Sequence, residues 1–209
     1  MQNWTKNLTY TALLGACVAL TACQAPVSNT LNFVPPAPSA HFNTQHQQVS
    51  VSVLAQDQRT SSEVASFADN GKMRHLQASP EVAQLFQQVV QQDLNSKGFR
   101  VATGMTTNAN VVVVINDFSA KVSEGNLSHK IDSKVSVAVN VQGAAGNFSK
   151  SFTATNTKEG AFGVNNEKIQ TVLNSAFQDV VTKIYNDNEI AQSLVRLSRQ
   201  PAVQYTPAQ

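Results

Sequence analysis

The chain has 209 residues, of which 42% are hydrophobic and only 13% charged, and its 15 Lys and Arg nearly balance 13 Asp and Glu. This suffices for one domain with a core, but the charge is about half the usual share of roughly 25%, and too balanced for the electrostatic footprint of a nucleic-acid binder. Two cysteines make neither a disulfide framework nor a structural zinc site, and the composition also excludes collagen, coiled coil and a polytopic membrane protein. Amides, 20 Gln and 19 Asn, replace the missing charge.

The chain opens with a short basic segment, Met1 to Lys6, followed by Leu8 to Leu20, mostly apolar or small. The run is too short for a membrane span of about 20 residues and fits the apolar region of a signal peptide. It ends in Leu20-Thr21-Ala22-Cys23, which resembles the bacterial lipobox. Small residues there let a signal peptidase hold the backbone extended, and the thiol takes the lipid. Residues 1–22 are therefore expected to be a signal peptide and Cys23 the lipidation site. Leu14-Gly15-Ala16-Cys17 is the alternative. It leaves only about eight apolar residues upstream and puts Val-Ala-Leu directly after the lipid, so Cys23 is preferred. An ordinary cleaved signal peptide, with Cys23 a bystander, is the remaining reading. With Cys23 acylated and Cys17 removed, no free thiol remains for redox or nucleophilic chemistry. In lipoproteins of bacteria with two membranes, Asp after the cysteine favours inner-membrane retention. Gln24 stands here, and the resemblance implies sorting to the outer membrane, with three acyl chains exceeding the two signals that stable anchoring needs.

Residues 23–47 carry Pro26, Pro35, Pro36 and Pro38 without periodicity and read as a tether. As a flexible coil this would span roughly 27 Å, and up to about 70 Å as polyproline II. A single α+β domain is expected over 48–199, and a flexible tail over 200–209. Val49, Val51 and Val53 alternate with Ser50, Ser52 and Leu54, predicting a half-buried strand that ends at Asp57. Val64–Ala68 and Met73–Gln77 flank Asn70-Gly71, predicting a hairpin. Ser79-Pro80-Glu81 reads as a helix start, with a Ser cap and Pro at the first helical position. Val82, Leu85, Phe86, Val89, Val90 and Leu94 form its apolar stripe, Gly98 its stop, and Asp93 is expected to turn outward toward Lys97.

Phe99 to Thr103 predicts a short strand. From Val111 a long strand runs to Glu124, Gly125-Asn126 reads as a two-residue turn, and a second strand follows from Leu127. Pairing Glu124 with Leu127 sets Val112 opposite Val139, Val114 opposite Val137 and Ala120 opposite Ile131 on the buried face, and Asp117 opposite Lys134 on the other. A turn at Gly143–Gly146 pairs Val141 with Phe148, Val137 with Phe152 and Val135 with Ala154. Asn165 or Asn166 caps a second long helix with a stripe from Ile169 to Ile184, and Asp187 to Arg199 predicts a further helix through Ile190, Leu194 and Leu197. The expected fold class is α+β: a two-layer domain, its sheet a mostly antiparallel β-meander, with two long amphipathic helices on one face.

Ala55-Gln56-Asp57-Gln58-Arg59-Thr60, Val122-Ser123-Glu124-Gly125-Asn126 and Glu159-Gly160-Ala161-Phe162, in that order behind a lipobox, resemble the YajG-type bacterial lipoproteins over roughly residues 20 to 195. The longer tether and the tail past Arg199 depart from that family's usual length. The resemblance implies an address and a fold; it carries no catalytic residues.

No metal-ligand spacing, nucleophile elbow or phosphate loop appears in the sequence, so no cofactor, metal or catalytic residue is expected. Asp57, Glu124 and Glu159 sit at turns or strand ends, where acids commonly fix loops. Arg59 is either paired with a nearby acid or free to contact a partner. With Asn126, these four residues are the candidate interaction positions, and Arg59→Ala is expected to weaken partner capture with little loss of stability. Three functions are weighed: a non-catalytic interaction module meeting another envelope protein or the cell wall, a binder of muropeptide, glycan or lipid, and, least favoured, a hydrolase. The expected contacts are the membrane, through the lipid, and an envelope component, with no nucleic acid.

Overall fold

The computed structural model describes residues 28–39, 43–102 and 107–199. Cys23, Thr103 and the expected tail at 200–209 lie outside the described residues. Among the described residues, eight strands form one sheet: β1 (Thr30–Asn32), β2 (Ser50–Asp57), β3 (Glu63–Asp69), β4 (Lys72–Ser79), β5 (Arg100–Val101), β6 (Ala109–Glu124), β7 (Ser128–Gly143) and β8 (Gly146–Ala161). Three helices accompany them among the described residues, α1 (Val82–Ser96), α2 (Asn166–Tyr185) and α3 (Glu189–Leu197); the third falls in the stretch read as a further helix, whereas the expected fold class named only two long ones.

The sheet is mixed, which corrects the mostly antiparallel expectation. β1 runs parallel to β4, β2 to β5, and both β2 and β3 to β6. Only β3–β4, β6–β7 and β7–β8 are antiparallel. β6 organises the arrangement. One edge of β6 pairs with β7 along its length; the other is shared end to end, Ala109–Ile115 by β2 and Ala120–Lys121 by β3.

The β7–β8 register is the expected one, with Val141 opposite Phe148, Val137 opposite Phe152 and Val135 opposite Ala154. The β6–β7 register is not. Glu124 pairs with His129 rather than Leu127, a displacement of two because the turn is longer than two residues, and a bulge at Asn116 then takes one residue back, leaving a net slip of one. Near the turn Ala120 faces Ser133; beyond the bulge Val113 meets Val139 and Ile115 meets Val137. A one-residue slip exchanges faces, so Val111, Val113 and Ile115 are buried, while the expected inward pair, Val112 and Val114, is only half-buried. Lys134 still reaches Asp117, diagonally, at 3.2 Å.

The segment read as a tether is partly core. Leu31 and Phe33 are buried, β1 extends the sheet beyond β4, and the Tyr185 hydroxyl donates to the Pro36 carbonyl at 2.8 Å. Phe33, Phe86 of α1, Phe118 of β6 and Phe177 of α2 meet edge to face, with ring centroids 5.1 to 6.2 Å apart. Such geometry suits the ring quadrupoles and adds to the area each ring buries. These rings fill the space between the helices and the sheet.

The helix starts differ from one another. Asn165 caps α2 as expected, its side chain accepting from Lys168 N–H at 2.9 Å. Ser79 does not cap α1: it remains in β4 and its carbonyl accepts from Phe33 N–H, so Glu81 stands at the N-cap without a side-chain cap bond. Asp93 is also a correction. It is 1% exposed, turned inward with Lys97 Nζ 2.9 Å away. Burial pushes its carboxyl up to about 6, against the opposing pull of Lys97. Lys97 then donates to the Asp187 carbonyl at 2.5 Å, and Asp187 pairs with Lys150 and caps α3 through Ile190 N–H. These charges lock helix ends to the sheet.

Candidate functional site

The three sequence motifs fall at two places. Asp57 and Arg59 occupy the break between β2 and β3, opposite the Asn116 bulge. With no strand continuous along that stretch of β6, backbone acceptors there need another donor. Arg59 supplies it, its Nη1 donating to the carbonyls of Phe118 at 3.1 Å and Glu63 at 3.4 Å. Nε and Nη2 grip the Asp57 carboxylate at 2.9 and 2.7 Å, a bidentate pair of the kind arginine favours. Burial alone would raise the Asp57 carboxyl, but the Arg59 hydrogen bonds and charge outweigh it and hold it below the usual carboxylate value. The Arg59 side chain is 8% exposed. It is a pin in the sheet, and its guanidinium is already engaged by internal partners. A cleft of about 390 Å³ opens beside it, between the β2–β3 break and the start of α1.

The other two motifs meet at the far end of the sheet. Glu124, Gly125 and Asn126 lead through the β6–β7 turn to Leu127, and Glu159, Gly160 and Ala161 end β8 before Phe162. Phe162 N–H donates to the Leu127 carbonyl at 3.1 Å. The Phe162 carbonyl accepts from His129 Nδ1 at 2.5 Å, which fixes the proton on that ring nitrogen because a carbonyl only accepts. His129 is buried against Gly160, where a Cβ would come within 2.7 Å of the ring. The glycine of the Glu-Gly-Ala-Phe motif is thus needed for space. Both backbone polar groups of Phe162 are clamped, and its φ is +61°, a left-handed conformation that costs a bulky residue roughly 1–2 kcal/mol. The clamp holds the ring outward: Phe162 is 77% exposed and neighbouring Leu127 is 76% exposed.

Glu124 and Glu159 line one shallow cleft of about 290 Å³ together with Ser123, Ser128, His129 and Lys130. The structure therefore brings Glu124, Asn126 and Glu159 to one end of the molecule and leaves Asp57 and Arg59 at the other place. Leu127, His129 and Phe162 were not singled out from the sequence. The available signal was a bulky aromatic in a glycine-containing loop, a residue type that turn chemistry does not ask for. Among the described residues, no group of three or more His, Cys, Asp or Glu is placed to hold a metal ion.

A family model described as uncharacterized lipoprotein matches residues 35–195. The chain belongs to this lipoprotein family. The lipoprotein YajG of Escherichia coli (strain K12) is 26% identical over 187 residues, covering 89% of this chain and 96% of that protein, so this chain is of the YajG type. Among solved structures, protein XCC0632 from Xanthomonas campestris superposes with a TM-score of 0.55 at 11% identity, covering 81% of this chain and 99% of the other. That likeness concerns the fold alone. Lipoprotein GNA1162 from Neisseria meningitidis covers 66% of this chain and 99% of its own, at a TM-score of 0.33 and 13% identity.

Proposed function

We propose that this YajG-type lipoprotein is anchored through Cys23 in the outer membrane, faces the periplasm, and works by binding another envelope protein or a cell-wall component, without turnover. One observation carries the reading. The buried or bidentate charged pairs, Asp57–Arg59, Asp93–Lys97 and Asp187–Lys150, join loops and helix ends, whereas the far end of the sheet presents Leu127 from the β6–β7 turn and Phe162 from the strained loop after β8. An apolar display suits recognition and supplies no nucleophile or acid. The reading as a binder of muropeptide, glycan or lipid has less support, because four phenylalanine rings occupy the space between helices and sheet where such a ligand would lie. The family and the sequence Leu20-Thr21-Ala22-Cys23 support the anchor, and Gln24 favours the outer membrane. Cys23→Ser should abolish lipid labelling and leave the precursor uncleaved; labelling lost only in Cys17→Ser would move the anchor. Acylated protein should crosslink to an envelope component in cells and release no product from peptidoglycan fragments or phospholipids. Steady product formation would make it a hydrolase.

A further inference from the structure

We propose that Leu127 and Phe162 are a membrane-contact tip, seating the far end of the sheet on the bilayer that holds the anchor. The proposal rests on the anchored reading above and adds an orientation to it.

The path of the chain is the first argument. The Ser28 carbonyl is held twice, by Asn166 Nδ2 at 2.6 Å and by Arg74 Nη2 at 2.8 Å. Asn166 begins α2 only four positions after Phe162. Arg74 lies on β4 just past the Asn70-Gly71 turn. Ser66 pairs with Lys121, so extending the register by three residues brings Asp69 level with Glu124 and the two hairpin turns to the same end. The chain thus enters the fold at the end that displays Leu127 and Phe162. Four residues separate Ser28 from Cys23, a reach of at most roughly 18 Å. The long tether expected from the sequence would have let the domain stand away from the membrane, whereas this linker keeps the tip within reach of the headgroups.

The second argument is chemical. Both side chains are large, apolar and exposed, and the Phe162 ring is held outward by a strained, doubly clamped backbone. Charges around the three turns nearly cancel, with Lys72, Arg74, Lys130, Lys158 and Lys168 against Asp69, Glu124, Glu159 and Glu167. The contact is therefore apolar rather than an attraction to anionic lipid. The acyl chains supply affinity, and two side chains entering the headgroup boundary are enough to set orientation.

The only tryptophan of the chain is Trp4, upstream of Cys23. The processed chain has none, so Phe162→Trp is a single reporter, and Ala144→Trp, in the turn at the opposite end of β7, is its control. Each acylated full-length protein is reconstituted into phosphatidylcholine vesicles with and without brominated acyl chains. Indole emission from position 162 should shift to the blue and be quenched several-fold more strongly than emission from position 144, with no dependence on salt. Protein that floats with the vesicles yet is quenched equally at both positions, or at neither, would sink the tip while leaving the anchor intact. Protein carrying no acyl chain by mass, and failing to float, would overturn the anchored reading and this proposal with it. A blue shift that persists in detergent and grows with protein concentration would assign the tip to a second copy instead. Both variants should match the thermal midpoint of the unsubstituted protein, since both positions are exposed.

Discussion

Replacing Arg59 by alanine removes the side-chain donors that hold the break between β2 and β3. The Phe118 and Glu63 carbonyls and the Asp57 carboxylate lose a partner together. Charge-assisted bonds in a mostly buried setting suggest a loss of about 2–3 kcal/mol at neutral pH, measured by urea unfolding. That reverses the sequence-based expectation of near-neutral stability. The pH dependence follows from the lowered Asp57 carboxyl. Its contribution is present above the ordinary carboxylate range and is lost as pH falls through the depressed folded value. The gap between Arg59→Ala and the unsubstituted protein should therefore narrow below about pH 4. A gap that stays constant into strong acid would mean that the ion pair contributes little and that the carbonyl bonds carry the effect.

At the level of elements, β7 provides the sharpest contrast. Val137 faces the core between Ile115 and Phe152, and Ser136 lies on the other face with its hydroxyl 2.9 Å from Thr153. Val137→Asp should cost several kcal/mol by burying an unpaired carboxylate. Ser136→Asp should cost less than about 1 kcal/mol. Equal costs would contradict the one-sided burial. The β7–β8 pairing was legible because glycines bracket the turn and Phe148, Phe152 and Ala154 alternate with polar residues. The near end of β6 was not, because Val111 to Ile115 is apolar at every position and therefore carries no parity. Asn116 adds an unpaired residue that no local signal marks. Parallel pairing of β2 and β3 with β6 joins segments more than fifty residues apart, beyond the reach of turn chemistry. The tip escaped notice for another reason: Phe162 matters by its backbone and by His129, which lies thirty-three positions earlier.

For the molecule as a whole, the boundary expected at Gln48 falls inside the structure's dependencies. A chain beginning at Gln48 would lack Leu31 and Phe33, the Asn32 carbonyl that accepts from Gln170, and the Pro36 carbonyl that accepts from Tyr185. Removing two fully packed side chains, one of them in the four-ring cluster, should cost at least about 4 kcal/mol relative to a chain beginning at Gln24. Thermal melts of the two chains give the comparison; matching midpoints would mean that β1 is an ornament on an independent core. Leu31 and Phe33 sit among prolines and amides without periodicity, which is why they read as linker.

The seat of that first strand also imposes an order of events. Asn166 and Gln170, which hold Ser28 and Asn32, emerge from the ribosome 138 residues after them. Closing so long a loop comes late in assembly, after local hairpins and helices have formed. The first strand is thus among the earliest segments made, and the last of its bonds is among the latest to close. Pairing with β4 and Arg74 can begin the seat of β1, but it is complete only when α2 arrives, so the start of the domain is finished from the opposite end of the protein.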